Sequence, residues 1–222
     1  MAKYYPMMIN IENKKCLVVG GGNVAYRKIV ELIEYGAKVT LVSMEFNENI
    51  NLLVENKSIV NIVDNYKNEY IKEAYIVIAA TNDSSTNFQI AKDCEKKNIL
   101  VNVVDDLECS RFIVPAKVKR GDLTITVSTN GKCPFYSKLL RKKLELQFDD
   151  SYSIFVNILG GFRKELLLNV KSSSKRKDII DSIDVDYYIK RLKEIGEEGA
   201  QKEMELSIKN SFNTLDDIVK KV

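Results

Sequence analysis

The sequence predicts an α/β chain with a parallel sheet, then a small β-rich stretch, then a helical C-terminal part. Three observations predict it. Short apolar runs alternate with helical segments as far as Val104. A run of three glycines, Gly20 to Gly22, joins the first apolar run to the first helix. Beyond Phe112 the alternation stops, leaving two β-rich runs and then helical periodicity alone. Strands that alternate with helices pair in parallel through crossover connections.

Tyr4 to Ile11 alternates and reads as an added edge strand. Cys16 to Val19 is the first strand of the alternating part, and a helix opens near Asn23. Gly20 permits a tight turn, Gly22 lets the backbone approach a pyrophosphate, and Ala25 lets the helix pack near its strand. This is the spacing of a Rossmann-type turn. The same glycines could serve a plain loop; the strand before and the helix after favour the dinucleotide reading. The N–H groups at Gly22, Asn23 and Val24 would then face phosphate, aided by the helix dipole. Val24, Ile29, Leu32 and Ile33 recur at helical spacing, and Gly36 closes the helix.

Val39 to Val42 is the second strand. Its end, Ser43-Met44 with Glu45 beyond, should meet the adenosine ribose. Glu45 is either the ribose acceptor or a solvated loop carboxylate. No Arg or Lys stands there to receive a 2′-phosphate, which favours NAD over NADP. Ile59 to Val63 is the third strand. Tyr75 to Ala80 is a continuous apolar run, as a doubly buried strand should be, and ends in Thr81-Asn82. A helix follows from Ser85 to Lys97, with Phe88, Ile90, Ala91 and Cys94 inward. Ile99 to Val104 is the fifth strand and ends in Asp105. Ligands of such sheets lie beyond the carboxyl ends of the strands, so Gly20, Gly22, Ser43, Thr81, Asn82 and Asp105 should ring one crevice. Asp105 also suits a plain turn or a helix cap.

Arg111 to Val118 and Leu123 to Ser128 are β-rich, and Lys119 to Asp122 reads as a hairpin turn. Pro134 suits the first turn of a helix running from Phe135 to Phe148, with Leu139, Leu140, Leu144 and Phe148 at core spacing. Lys138, Arg141, Lys142 and Lys143 form its polar side, either a solvated face or a dock for a polyanion. From Asp149 the chain is helical: Gly160-Gly161 would interrupt the first segment, and Lys171 to Lys177 would be a polar link. Tyr187 to Glu198 and Gln201 to Val222 would supply further helices. The expected domains are 1–112, 113–148 and 149–222.

Composition excludes more than it selects. The chain has 222 residues, ample for a core, and a net charge of +3, too small to argue for nucleic acid. It has no histidine, which excludes Ser-His-Asp and Cys-His catalysis and histidine metal sites; no metal site is expected. The four cysteines form no C-x-x-C, which favours reduced thiols in a cytoplasm. No run approaches a membrane span, and the first residues lack a signal-peptide core.

With these residues in view, the chain resembles the precorrin-2 dehydrogenase family, the N-terminal region of siroheme synthases. The resemblance rests on Tyr5-Pro6, Val18 to Ala25 with Arg27-Lys28, Ala79 to Asn82, Asn102 to Asp105, Phe112 to Pro115, Val127-Ser128, Gly131 and Pro134. It implies NAD-dependent oxidation of precorrin-2 to sirohydrochlorin, with Asp105 as general base or positioner of the ring. The substrate's carboxylates would be met by Arg111, Lys117, Lys119, Arg120, Lys138 and Arg141, with Thr129 nearby. The resemblance also implies a homodimer paired through 113–148, with C-terminal helices covering the tetrapyrrole. Some relatives also insert a metal, for which Asp105 would be the base. The family pattern is broken at Cys133, Tyr136, Ser137 and Lys138, and Thr129 stands where some members carry serine. The competing reading is a non-catalytic NAD-sensing domain. Such domains normally place an acidic residue where this chain has Ser43, and are not expected to carry Asn102 to Asp105 followed by Phe112 to Pro115.

Overall fold

The computed structural model describes residues 4–219, with side chains described as far as Leu206. The chain forms two compact units, Met1–Val114 and Pro115–Val222.

The first unit holds β1 (Lys15–Val19), α1 (Asn23–Glu34), β2 (Lys38–Val42), α2 (Glu48–Glu55), β3 (Val60–Ile62), β4 (Ile76–Ala79), α3 (Ser84–Lys96) and β5 (Leu100–Val103). The strands make one sheet in the order β3-β2-β1-β4-β5, every pair parallel. This is the Rossmann-like α/β sheet expected. Side chains alternate between its faces. Cys16, Val18, Ile76 and Ile78 pack with Ala25, Ile29 and Leu32 of α1. Leu17, Val19, Val77 and Ala79 pack with Ile90, Ala91 and Cys94 of α3. Burying each large one stabilises the fold by about 1.5–3 kcal/mol. The strands end level: Val19 pairs with Val42 and Ala79, Val42 with Ile62, and Ala79 with Val103. β1 and β4 are neighbours although distant in sequence, which makes their carboxyl ends the switch point where such sheets open a crevice.

Several details of the first unit differ from expectation. Tyr4 to Ile11 forms no regular element and joins no sheet; β1, which follows it, already has β2 and β4 on its two sides. On α1 the buried stripe is Ala25, Ile29 and Leu32, and Val24 is exposed. On α3 Phe88 is exposed beneath the Lys92 ammonium, while Asn87 and Asp93 are buried. Arg111 to Pro115 lies outside the hairpin, whose first strand begins at Ala116.

The second unit opens with the antiparallel hairpin β6 (Ala116–Arg120) and β7 (Leu123–Val127), turning through Gly121 at φ 57°. Then come α4 (Pro134–Gln147), α5 (Ser151–Asn169), α6 (Ser173–Asp181) and α7 (Val185–Val219). α5 runs unbroken through Gly160-Gly161, because Phe155, Phe162 and Leu166 bury one stripe and both glycines face open space. The expected polar link is mostly α6, started by Ser172, whose hydroxyl accepts the Lys175 N–H. α7 breaks at Gly196 (φ 74°), earlier than expected. Residues 220–222 of the expected last helix lie outside the described residues. No described helix is long and apolar enough to cross a membrane.

Candidate active site

A cleft of about 810 Å³ opens at the carboxyl ends of β1, β2, β3 and β4. Its floor is the glycine turn. Gly20 has φ 113°, and a Cβ there would lie 2.3 Å from the Ala80 carbonyl oxygen. Gly21 is tighter still: its Cβ would lie 1.9 Å from the Glu45 carbonyl oxygen. Around Gly22 nothing stands within 4 Å of where a Cβ would be. The first two glycines let three strand ends converge, and the third leaves space above α1. That helix has no side-chain cap and no acidic residue in its first turn. Its first N–H groups have no intrahelical partner and point where an anion is favoured. The turn therefore fits a dinucleotide pyrophosphate.

The loop after β2 is laced to the turn. The Ser43 hydroxyl donates to the Glu45 carbonyl (2.6 Å), and the Asn47 N–H donates to the Gly21 carbonyl (3.0 Å). The Asn47 amide donates to the Asn23 side chain at 2.9 Å and its oxygen caps α2. The Glu45 side chain is exposed, so its backbone is the structural part. After β4, the buried Asn87 amide accepts from the Thr81 N–H and hydroxyl and donates to the Thr81 carbonyl, fixing that backbone. Asp83 caps α3, and the Thr86 and Ser85 hydroxyls and N–H groups hold its carboxyl down near 2.

Of the expected cofactor residues, Gly20, Gly22, Ser43, Met44, Glu45, Thr81 and Asn82 line this cleft. Asn23 and Val24 do not line it; they open α1 beside it. Asp64, Asn65, Tyr66, Thr86 and Gln89 also line it and escaped the sequence reading. Asp64 and Asn65 were discoverable, since they follow the third strand directly. Gly21 was passed over because its partner, Glu45, is close only in the fold. Cys16 and Cys94 are no nucleophiles: burial pushes their thiols up to about 11 and about 12.

Asp105 does not line the cleft; it is exposed one strand further along the same rim. The Val104 N–H donates to the Ala79 carbonyl (2.9 Å), so the fifth strand's exit stays in register with the fourth's. Asp105 has φ 63° at the tip of the turn that brings the Asp106 N–H back to the Val103 carbonyl. Asp and Asn tolerate this left-handed conformation better than most residues. The turn is braced from below. Ser110 is buried, accepts the Val103 N–H (2.9 Å) and donates to the Asp106 carbonyl (2.6 Å). The Asp106 carboxylate accepts the Cys109 N–H, which does most to lower it below its usual range, and the Glu108 N–H.

Residues 7–116 match the family model described as putative NAD(P)-binding, and residues 120–147 match that of the sirohaem biosynthesis protein central region. The chain belongs to the siroheme-synthase and precorrin-2 dehydrogenase family. The siroheme synthase of Mannheimia succiniciproducens is 32% identical over 209 residues, 94% of this chain and 44% of that protein. That of Neisseria meningitidis serogroup C is 35% identical over 177 residues, 78% and 36%. The chain thus spans less than half the length of these siroheme synthases. The solved structure titled SirC, precorrin-2 dehydrogenase, superposes with a TM-score of 0.73 at 25% identity, covering 91% of this chain and 99% of that one.

Inside this family frame, the expected substrate residues divide between the units. Arg111 is exposed on the first unit and pairs with Glu95 at 3.2 Å. Lys117, Lys119, Arg120, Thr129, Lys138 and Arg141 belong to the second. There Arg120 donates to the Glu145 carbonyl and Arg141 pairs with the Glu145 carboxylate. Thr129 accepts the Cys133 N–H (3.0 Å) and meets the Ser137 hydroxyl (3.2 Å), which closes the loop before α4. Lys138 is exposed.

Proposed function

We propose that this chain oxidises precorrin-2 to sirohydrochlorin with NAD. The observation that carries the reading is the placement of Asp105. It is an exposed carboxylate on a braced turn just past β5, the strand next to β4, and β4 ends in the cleft that fits a dinucleotide. Gly20, Gly22, Ser43, Thr81 and Asn82 hold NAD, which when bound supplies the hydride acceptor. Glu45 and its neighbours offer no cation for a 2′-phosphate, so NAD rather than NADP is the partner. Asp105 takes the proton that leaves the macrocycle in the oxidation, a task open to a carboxylate in a chain without histidine. Lys138 and the rest of the basic set, Arg111, Lys117, Lys119, Arg120 and Arg141, meet substrate carboxylates through charge-assisted hydrogen bonds.

The working form is a homodimer paired through 113–148, with 149–222 as the covering helices. The hairpin itself is already packed on α4, so one fact supports pairing. On α4, Phe135 is 75% exposed and Leu146 87% exposed, beside Tyr136 and Leu139. The test is to mix the pure chain with NAD and precorrin-2 under anaerobic conditions. Appearance of NADH together with the sirohydrochlorin spectrum supports the proposal; NAD binding without either overturns it in favour of a sensing domain.

A further inference from the structure

The cleft extends past the phosphate turn to a wall that none of the preceding roles uses. Phosphates belong at Gly20 to Gly22 and the ribose at the end of β2, so in the order β3-β2-β1 the base lies outward, over β3. The wall there is Asp64, Asn65 and Tyr66 from the exit of β3, faced by Thr86 and Gln89 of α3. It is a built wall. One Asp64 oxygen accepts from Lys67 and Tyr70, and the other accepts the Asn65 N–H at 2.8 Å. Three of about four acceptor positions of the carboxylate are thus filled and one remains. The Tyr66 hydroxyl donates to the buried Asp93 at 3.2 Å, and the Gln89 amide donates to the other Asp93 oxygen at 3.0 Å. Both the ring and the amide are therefore held in place rather than free to swing.

We infer that Asp64 sets the base specificity of the cofactor site, accepting a hydrogen bond from the 6-amino group of adenine beside the tethered Tyr66 ring. The inference rests on the dinucleotide reading of the cleft. A carboxylate fixed by Lys67 and Tyr70 stays ionised and can only accept. Adenine offers it a donor at the 6-position, whereas hypoxanthine turns an oxo group, a second acceptor, to the same oxygen. A hydrogen bond to a charged group, gained or lost, changes affinity by roughly 10-fold or more. An asparagine amide at 64 can turn its NH₂ to an oxo group and would erase the preference.

The experiment is titration calorimetry of the full chain with NAD and with nicotinamide hypoxanthine dinucleotide, for the native protein and for Asp64→Asn. The native protein should bind NAD roughly 10-fold more tightly, and Asp64→Asn should bring the two affinities within about 3-fold. The ratio is taken within one protein, so general loosening of the cleft does not move it. Tyr70→Phe, which removes one donor to Asp64 and leaves the carboxylate, should keep the adenine preference. Equal native affinity for both dinucleotides, or an unchanged ratio in Asp64→Asn, overturns the base assignment and leaves the cofactor reading standing. Failure of the native protein to bind either one overturns the cofactor reading itself.

Discussion

A Cβ at Gly21, in the first unit, would lie 1.9 Å from a backbone oxygen; a Cβ at Gly161, in α5 of the second, would touch nothing within 4 Å. The contrast extends to side chains. Every residue of β4 is buried, and β1 exposes only Lys15. α4 buries Ser137 alone and leaves Phe135 and Leu146 in the open. The first unit is closed: its sheet is covered by its own helices and its glycine turn is packed backbone to backbone at Gly20 and Gly21. The hairpin and α4 of the second are open. A closed unit suits a site whose geometry must hold to fractions of an ångström. An open one suits a surface completed by another chain.

The largest effect should come from Gly21→Ala. The Glu45 loop must move, and NAD affinity in calorimetry should fall by at least about 100-fold, the scale of losing positioned phosphate contacts. Retained affinity would mean that the turn is not as tightly closed as its contacts imply. Next, for the proposed dimer, Phe135→Glu combined with Leu146→Glu should reduce the mass in sedimentation equilibrium to that of the 25.3 kDa monomer. A dimer that survives would place the contact surface elsewhere. Leu41→Ala, fully buried in the sheet, should cost about 2–5 kcal/mol in urea unfolding. Leu168→Ala, 84% exposed on α5, should change stability by no more than about 0.5 kcal/mol. Last, Gly161→Ala should stabilise by about 0.5–1 kcal/mol, since it adds a better helix former without a clash.

The same contrast explains what could be read from sequence. The strand, glycine turn and helix from Cys16 to Leu32 are local, so spacing sufficed. So was the start of α4, where proline occupies the first turn. What escaped depends on distance. Gly21 is constrained by Glu45, Asn87 is buried because its amide completes the Thr81 backbone, and Asp64 enters the cleft because β3 lies beside β2. α6 was missed for a local reason: the serines that suggested a polar link also supply its cap. The expected basic set was only partly informative, because Glu145 engages both Arg120 and Arg141, which spacing alone does not reveal.

The proposed function divides its labour between the cleft, which would hold NAD, and the neighbouring turn, which carries Asp105. Asp105→Asn keeps the size of the side chain and removes its ability to take a proton. NAD affinity and anaerobic precorrin-2 turnover, measured on the same preparation, test it most directly. The predicted result is a dissociation constant within about 2-fold of native and a turnover at least about 100-fold lower, the usual range for a lost general base. Native turnover in that variant would contradict the account.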